Sequence, residues 1–267
     1  MRPVALLTDF GRTDHYVGVM HAVLVREAPG VERIDLGHDV PPGDIWAASF
    51  VLRCAWPHLP ASGVVLAVVD PGVGTDRRAL AVQVGERWLV APDNGLAAAP
   101  GTPEQVIELE WETMGLSPPS ATFHGRDLFA PAAARLGRGE PVTSLGKPTA
   151  VDNLVLCPLP APVATANGWR VTILRVDHFG NVVTNLQAST IPAHSIVRSA
   201  SMGQVRRVAT YGQAPPGEVV AVEGSSGHLE LAVNQGSAAD ALGLERGDAF
   251  ELSVHALPQR FGLNCCP

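Results

Sequence analysis

Between residues 70 and 78 the chain reads Asp-Pro-Gly-Val-Gly-Thr-Asp-Arg-Arg, two glycines bracketed by an acid and two bases. Glycines let a backbone come close to a ligand, and Pro71 fixes the direction of the turn. A phosphate-cradling loop is excluded, because its glycine spacing, its Lys-Ser/Thr ending and a following helical pattern are all missing. Two readings remain: a site for charged groups, or a surface turn closed by an Asp70–Arg77 salt bridge.

A second stretch, Thr122–Pro131, places His124 and Gly125 just before Asp127, which is positioned to cap a helix over Leu128–Leu136. Histidine suits proton transfer near neutral pH, although a structural hydrogen bond accounts for a single His equally well. Gly125 leaves room for a small reactant. In Val176–Asn185, Asp177 and Asn181 stand four apart across a Gly turn and can face one ligand; Gly180-Asn181 is also a plain hairpin turn. Ser225, within Gly224-Ser225-Ser226-Gly227-His228, and the run Asn234–Ala239 pass as ordinary Gly/Ser turns.

The elements that must hold these residues follow from hydrophobic pattern. Val4–Thr8 is an uninterrupted apolar strand, and Asp14 is placed to cap a helix in which Val17, Met20, His21 and Leu24 recur until Pro29-Gly30. Val31–Leu36, Val64–Val69 and Trp88–Ala91 are further strands, and Asp44 caps a helix over Ile45–Trp56 that stops at Pro57. This alternation predicts an α/β N-terminal domain with a mostly parallel sheet. Three of its strands run into loops carrying Asp9, Asp70 and Asp93. Ligands of open α/β sheets bind beyond the carboxyl ends of strands, so three such carboxylates predict a shared cleft.

Texture changes at Cys157-Pro158-Leu159-Pro160-Ala161-Pro162, which reads as a semi-rigid linker. Beyond it the Val-rich runs Val171–Val176, Val182–Asn185, Val219–Val222 and Leu229–Val233 are separated by Gly, with little helix between them. They predict a smaller all-β, barrel-like C-terminal domain with antiparallel strands. The division expected is 1–160 and 168–267.

Composition narrows the partners. Nineteen Lys and Arg against 26 Asp and Glu give −7, with no basic run, which argues against nucleic acid. A hydrophobic fraction of 46% with 17% charged residues is that of a folded globular chain. The apolar run after Met1-Arg2-Pro3 is too short for a signal peptide, and no stretch has the length of a membrane span. Cys54, Cys157, Cys265 and Cys266 show neither disulfide nor zinc spacing. A cytoplasmic location is expected.

Taken in order, Leu7–Gly11 with Asp14, the 70–78 loop, Pro92–Gly95, Thr122–Pro131, Asp177–Asn185 and Ser225–Ala239 resemble one family over nearly the whole chain. It is the S-adenosyl-L-methionine (SAM) hydroxide adenosyltransferases, or SAM hydrolases, relatives of the bacterial fluorinase and chlorinase. The resemblance implies a homotrimer, with active sites between the N-terminal domain of one subunit and the C-terminal domain of its neighbour. By motif, Asp70, Arg77 and His124 match the set that positions and activates water, and Asp9 matches the carboxylate on the ribose hydroxyls. Asp177 matches the group on the methionine ammonium, Ser225 a contact to its carboxylate and Asn181 a contact to the adenine edge. Ser226 and Val183 depart from an Arg and a Trp of the fluorinase. The implied substrate is a small molecule, with no metal and no cofactor.

The expected reaction is attack of water on the ribose C5′ of SAM, with His124 as the candidate proton-handling group, Asp70 orienting and Arg77 keeping Asp70 ionised. A halogenase is the nearest rival; Asp70 would repel a halide, and Gly125 lacks the hydroxyl that the fluorinase offers one. A divalent-metal phosphoesterase using Asp9, His38, Asp39 and Asp93 is a second rival. A non-catalytic SAM or nucleoside sensor is the third.

Overall fold

The computed structural model describes residues 1–193, 195–199 and 202–256; the Cys265-Cys266 pair lies outside them. The chain divides into two compact units, Met1–Pro158 and Leu159–Pro267, and the division falls inside the Pro-rich stretch.

The first unit is built on β1 (Val4–Thr8), α1 (Tyr16–Glu27), β2 (Arg33–Gly37), α2 (Ile45–Ala55) and β3 (Val64–Val68). These are followed by β4 (Ala79–Val84), β5 (Arg87–Pro92), β6 (Gln105–Leu109), α3 (Ala130–Arg138) and β7 (Gly146–Thr149). Its seven-stranded sheet has the order β2-β1-β3-β5-β4-β6-β7. The first four strands are parallel, while β4, β6 and β7 pair antiparallel.

Both faces of the parallel part are covered, which is why its strands are continuous apolar runs rather than alternating ones. Val4, Leu6, Val64 and Leu66 pack on one face with Met20 and Leu24 of α1 and Ala132 and Leu136 of α3. Ala5, Leu7, Val65 and Ala67 pack on the other with Ala48 and Leu52 of α2. Leu6 and Leu66 are completely buried, so truncating either to Ala costs about 2–5 kcal/mol.

Strand register sets the level of the predicted carboxylates. Thr8 lies beside Val68 and Leu66 beside Val90, so Asp9, Asp70 and Asp93 leave the sheet at one edge.

Helix ends are less regular than the sequence predicts. Asp44 caps α2, its Oδ1 accepting from the Ala47 amide at 2.9 Å, and Trp56–His58 continues as a 3₁₀ turn that includes Pro57. Asp14 does not cap α1; His15 holds the cap position without a side-chain hydrogen bond. Asp127 does not cap a helix over 128–136 either. It lies within a π-helical turn, Gly125–Phe129, that leads directly into α3.

The second unit comprises β8 (Val163–Thr165), β9 (Gly168–Val176), β10 (Val182–Gln187), β11 (Ser195–Ser199), β12 (Gly203–Arg207), β13 (Val219–Glu223), β14 (His228–Val233), a short α4 (Ala238–Leu242) and β15 (Ala249–Ala256). The order β10-β14-β13-β12-β11-β15-β9-β8 closes on itself through β10–β9, making a barrel with β8 appended to its outside. Val171, Ile173, Val197, Leu229, Leu231 and Leu252 fill the interior. The barrel is not wholly antiparallel as expected: β12 and β13 run parallel, because the connection between them carries an extra 3₁₀ turn at Tyr211–Gln213 and returns the chain to the same end.

Candidate active site

Asp70, Arg77 and His124 are joined in one string in the first unit. Arg77 Nε donates to Asp70 Oδ1 at 2.9 Å and Oδ2 at 3.0 Å, and its Nη2 donates to Asp70 Oδ2 at 2.5 Å. The same Nη2 lies 2.7 Å from His124 Nδ1. The Asp70–Arg77 pair predicted for a surface turn is present, but it is not superficial: the side chains are only 5% and 10% exposed. The guanidinium also sits over the Phe129 ring, 5.2 Å from its centre. Charge-assisted bonds in a site shielded from water are both stronger and better oriented than exposed ones.

A guanidinium can only donate. Nδ1 of His124 must therefore accept, which fixes the ring as the neutral tautomer with its proton on Nε2. Burial first, and then the positive charge of Arg77, push the His124 pKa below the ordinary value of 6.5, against the opposing charges of Asp70 and Asp127. Asp9 Oδ2 accepts from the Gly43 amide at 2.8 Å. Burial raises the Asp9 pKa despite that bond, and the negative charge of Asp70 adds to the effect.

The glycines of this region serve packing, not clearance for a reactant. Gly74 has φ +78°, and a Cβ there would collide with the Ala121 carbonyl; at Gly72 one would press on Arg77 Cγ. At Gly125 a Cβ would meet Phe123 at 3.2 Å, Met20 at 3.4 Å and Phe10 at 3.5 Å, so the expected open space beside His124 is already filled. Phe10, Phe123 and Tyr16 form an aromatic wall there, with ring centres 5.2–5.9 Å apart. Neither that wall nor the π turn at 125–129 has a short-range motif.

Asp93 does not join the expected cleft. Its Oδ2 takes Arg78 Nε at 2.9 Å, and its Oδ1 takes the Val155 amide at 2.9 Å, a structural clasp. The four proposed metal ligands of the phosphoesterase reading are likewise not gathered. Asp39 is exposed and pairs with Arg12, while His38 turns toward His21 and Asp35.

In the second unit, Asp177, Asn181 and Ser225 line one cavity of ≈ 710 Å³ together with Phe179, Tyr211 and Glu230. The hairpin reading of Gly180-Asn181 is also correct. Asp177 Oδ1 accepts from the Phe179 and Asn181 amides, each at 2.8 Å, and Asn181 Nδ2 donates to Asp177 Oδ2 at 2.9 Å. Asp177 thus shapes the turn and presents its carboxylate at the cavity wall.

Glu230 and Tyr211 belong to no motif that the sequence displays. The signal for Glu230 is a carboxylate inside the apolar run His228–Val233, with Leu229 and Leu231 pointing into the barrel. It is 7% exposed. Burial, with the charge of Asp177, raises its pKa. The Tyr211 hydroxyl lies 3.5 Å from Glu230 Oε2. Val183 is buried in β10, and Ser226 Oγ lies 3.2 Å from His228 Nδ1.

Known proteins match this chain over most of its length. The description "SAM hydroxide adenosyltransferase N-terminal domain" matches residues 4–146, and the corresponding C-terminal domain matches residues 171–251. An (R)-S-adenosyl-L-methionine hydrolase of Thermus thermophilus is 45% identical, with 92% of this chain and 98% of the relative covered. One of Salinispora tropica is 43% identical, with 94% and 97% covered. A crystal structure of an uncharacterized conserved protein from Thermotoga maritima superposes with a TM-score of 0.87 at 35% identity, covering 94% of this chain and 99% of that one. The chain belongs to the SAM hydroxide adenosyltransferase family.

Proposed function

We propose that the chain hydrolyses S-adenosyl-L-methionine to adenosine and L-methionine, water attacking the ribose C5′. The observation that carries this reading is the shielded string Asp70–Arg77–His124, in a chain whose full-length relatives are named as hydrolases of that substrate.

The O–C5′ bond forms as the C5′–S bond breaks, and the bonding pair leaves on sulfur as a neutral thioether. Charge on the sulfonium is consumed, so a hydroxide-like nucleophile is drawn to it, the more so in a site that excludes bulk water. His124 offers its Nε2–H to the water and orients a lone pair of the oxygen toward C5′. Because Nδ1 is engaged by Arg77, the proton released by the water goes to Asp70, whose Oδ1 accepts one bond from Arg77 and retains a lone pair. With this tautomer His124, the candidate proton-handling group, acts as a hydrogen-bond donor to the water. Arg77 holds both partners and offsets the negative charge that develops on oxygen.

Asp9 takes the ribose hydroxyls. Asp177 takes the methionine ammonium, Ser225 its carboxylate and Asn181 the adenine edge, a division supported by their sharing one cavity. Asp177 and Glu230 give that cavity the negative lining that a cationic substrate suits. The reaction as balanced needs no metal and no other cofactor. A homotrimer completes the reading, each site combining the first unit of one copy with the second unit of another. Among the described residues no helix is long and apolar enough to cross a membrane, and the reading includes a cytoplasmic location.

The test is incubation of purified protein with SAM at high chloride, with products separated and identified. Adenosine and methionine in equal amounts are expected. Predominant 5′-chloro-nucleoside would replace hydrolysis by halogenation, and tight SAM binding with no product would leave a sensor.

A further inference from the structure

We propose that His21, Asp35 and His38 form a binding site for one divalent ion of the zinc type, at the β2 edge of the first unit's sheet. His21 lies on α1, Asp35 on the edge strand β2, and His38 directly after that strand. His21 Nε2 is 2.9 Å from Asp35 Oδ1, and His38 Nε2 is 3.1 Å from the same oxygen. The ligand atoms of all three residues lie within 4.8 Å of one another. An ion bound at about 2.0–2.1 Å with angles of about 90–110° separates neighbouring donors by about 2.9–3.4 Å. Two of the three spacings already fall in that range.

An independent feature points the same way. The His38 side chain is only 4% exposed, and its buried Nε2 has no aligned hydrogen-bond partner. Its 3.1 Å approach to Asp35 Oδ1 is a charge contact that does not meet hydrogen-bond geometry. A buried ring nitrogen left in that state is costly, and an ion held between the two residues relieves it. The opposite nitrogen, Nδ1, sits 2.9 Å from Thr8 Oγ1. A hydroxyl accepting Nδ1–H leaves the Nε2 lone pair free and fixes the ring plane, the arrangement that orients metal-bound histidines.

Two imidazoles and one carboxylate favour zinc, cobalt or nickel over magnesium or calcium, which take oxygen ligands. His21 and Asp35 are 24% and 47% exposed at the side chain, so an ion can enter and complete its coordination with water. The site also grips the loop that carries Asp9. The His38 carbonyl accepts from the Gly11 amide at 2.8 Å, and Thr8 immediately precedes Asp9. Occupancy therefore stiffens that loop without placing the ion at the reacting atoms.

The experiment uses untagged full-length protein stripped with a chelator, titrated with Co²⁺ by visible absorbance and then with competing Zn²⁺. One equivalent per chain is expected, with the melting temperature rising by about 5 °C or more at saturation. His21→Ala and Asp35→Asn, both at accessible positions, should each weaken binding at least about tenfold while the circular dichroism is unchanged. No binding of either ion up to about 1 mM, or binding undiminished in both variants, overturns the site in favour of a hydrogen-bonded His–Asp–His cluster. SAM cleavage is assayed separately, so failure of the hydrolase reading and failure of the ion site give different results.

Discussion

Arg77 Nη2 stands between two acceptors, 2.5 Å from Asp70 Oδ2 and 2.7 Å from His124 Nδ1, so a single guanidinium holds the carboxylate in place and sets the tautomer of the ring. In the proposed hydrolase this pair of bonds holds the reacting groups together.

If Asp70 receives the proton, Asp70→Asn keeps shape and loses the base. Turnover should fall by about 10²–10⁴-fold while SAM binding changes little. Single-turnover rates beside calorimetric affinities read the two separately; a rate within about threefold of wild type returns proton transfer to another group.

If His124 is a donor, His124→Gln should outperform His124→Ala. A Gln amide can accept from Arg77 and donate to water at once, whereas Ala leaves Arg77 half-satisfied. Loss of a single such donor costs about 10²–10³ in kcat, and Gln should recover at least about tenfold of it. Equal loss in both variants would mean that the ring acts as a base.

The pH profile follows from the direction of the His124 shift. Its pKa lies below 6.5 because burial and Arg77 disfavour the cation. The neutral ring therefore persists as pH falls from 8 through about 6.5, and kcat should hold over that range and drop only below it. Stability moves the same way: the unfolded chain takes up this proton first, so folding loses free energy as pH falls from the unfolded pKa through the folded one. A kcat limb centred above 6.5 would contradict the tautomer.

Asp177→Asn removes charge from the cavity but keeps an oxygen for the Phe179 and Asn181 amides. KM for SAM should rise about 10–100-fold with kcat less affected, the range for losing a hydrogen bond to a charged group. An unchanged KM would remove Asp177 from the ammonium site.

The proposed assembly with shared sites has its own assay. Chains carrying Asp70→Asn and chains carrying Asp177→Asn, mixed and reassembled, should regain activity that neither has at low SAM. Light scattering should give three times the chain mass. A monomer, or a mixture no more active than its parts, would place the whole site within one chain.

Legibility of the sequence varied with the range of the physics involved. β1, β3 and the Asp44 cap were readable because a continuous apolar run and a side chain reaching three residues ahead are local signals. β4, β6 and β7 carry no such signal, since they form an antiparallel extension whose partners define them. Asp70, Arg77 and His124 could be named from motifs. That the guanidinium of this loop reaches a histidine 47 residues further on could not. Asp93 looked like its neighbours at the same sheet edge until Arg78 and the Val155 amide claimed it. Glu230 and the His21–Asp35–His38 group were hidden for the same reason: their meaning lies in who surrounds them.

Gly74 offers a last consequence. Its bare Cα rests against the Ala121 carbonyl, three residues before His124, so the acid loop and the histidine segment are butted together by main chain as well as by Arg77. The frame thus has two independent braces, and only one of them is a side chain. Arg77→Ala should leave a guanidinium-shaped hole between partners still standing in place, and guanidine added to the assay should restore part of the lost rate. Gly74→Ala, by contrast, should be beyond rescue by any small molecule, since it pushes apart the two walls that the hole needs.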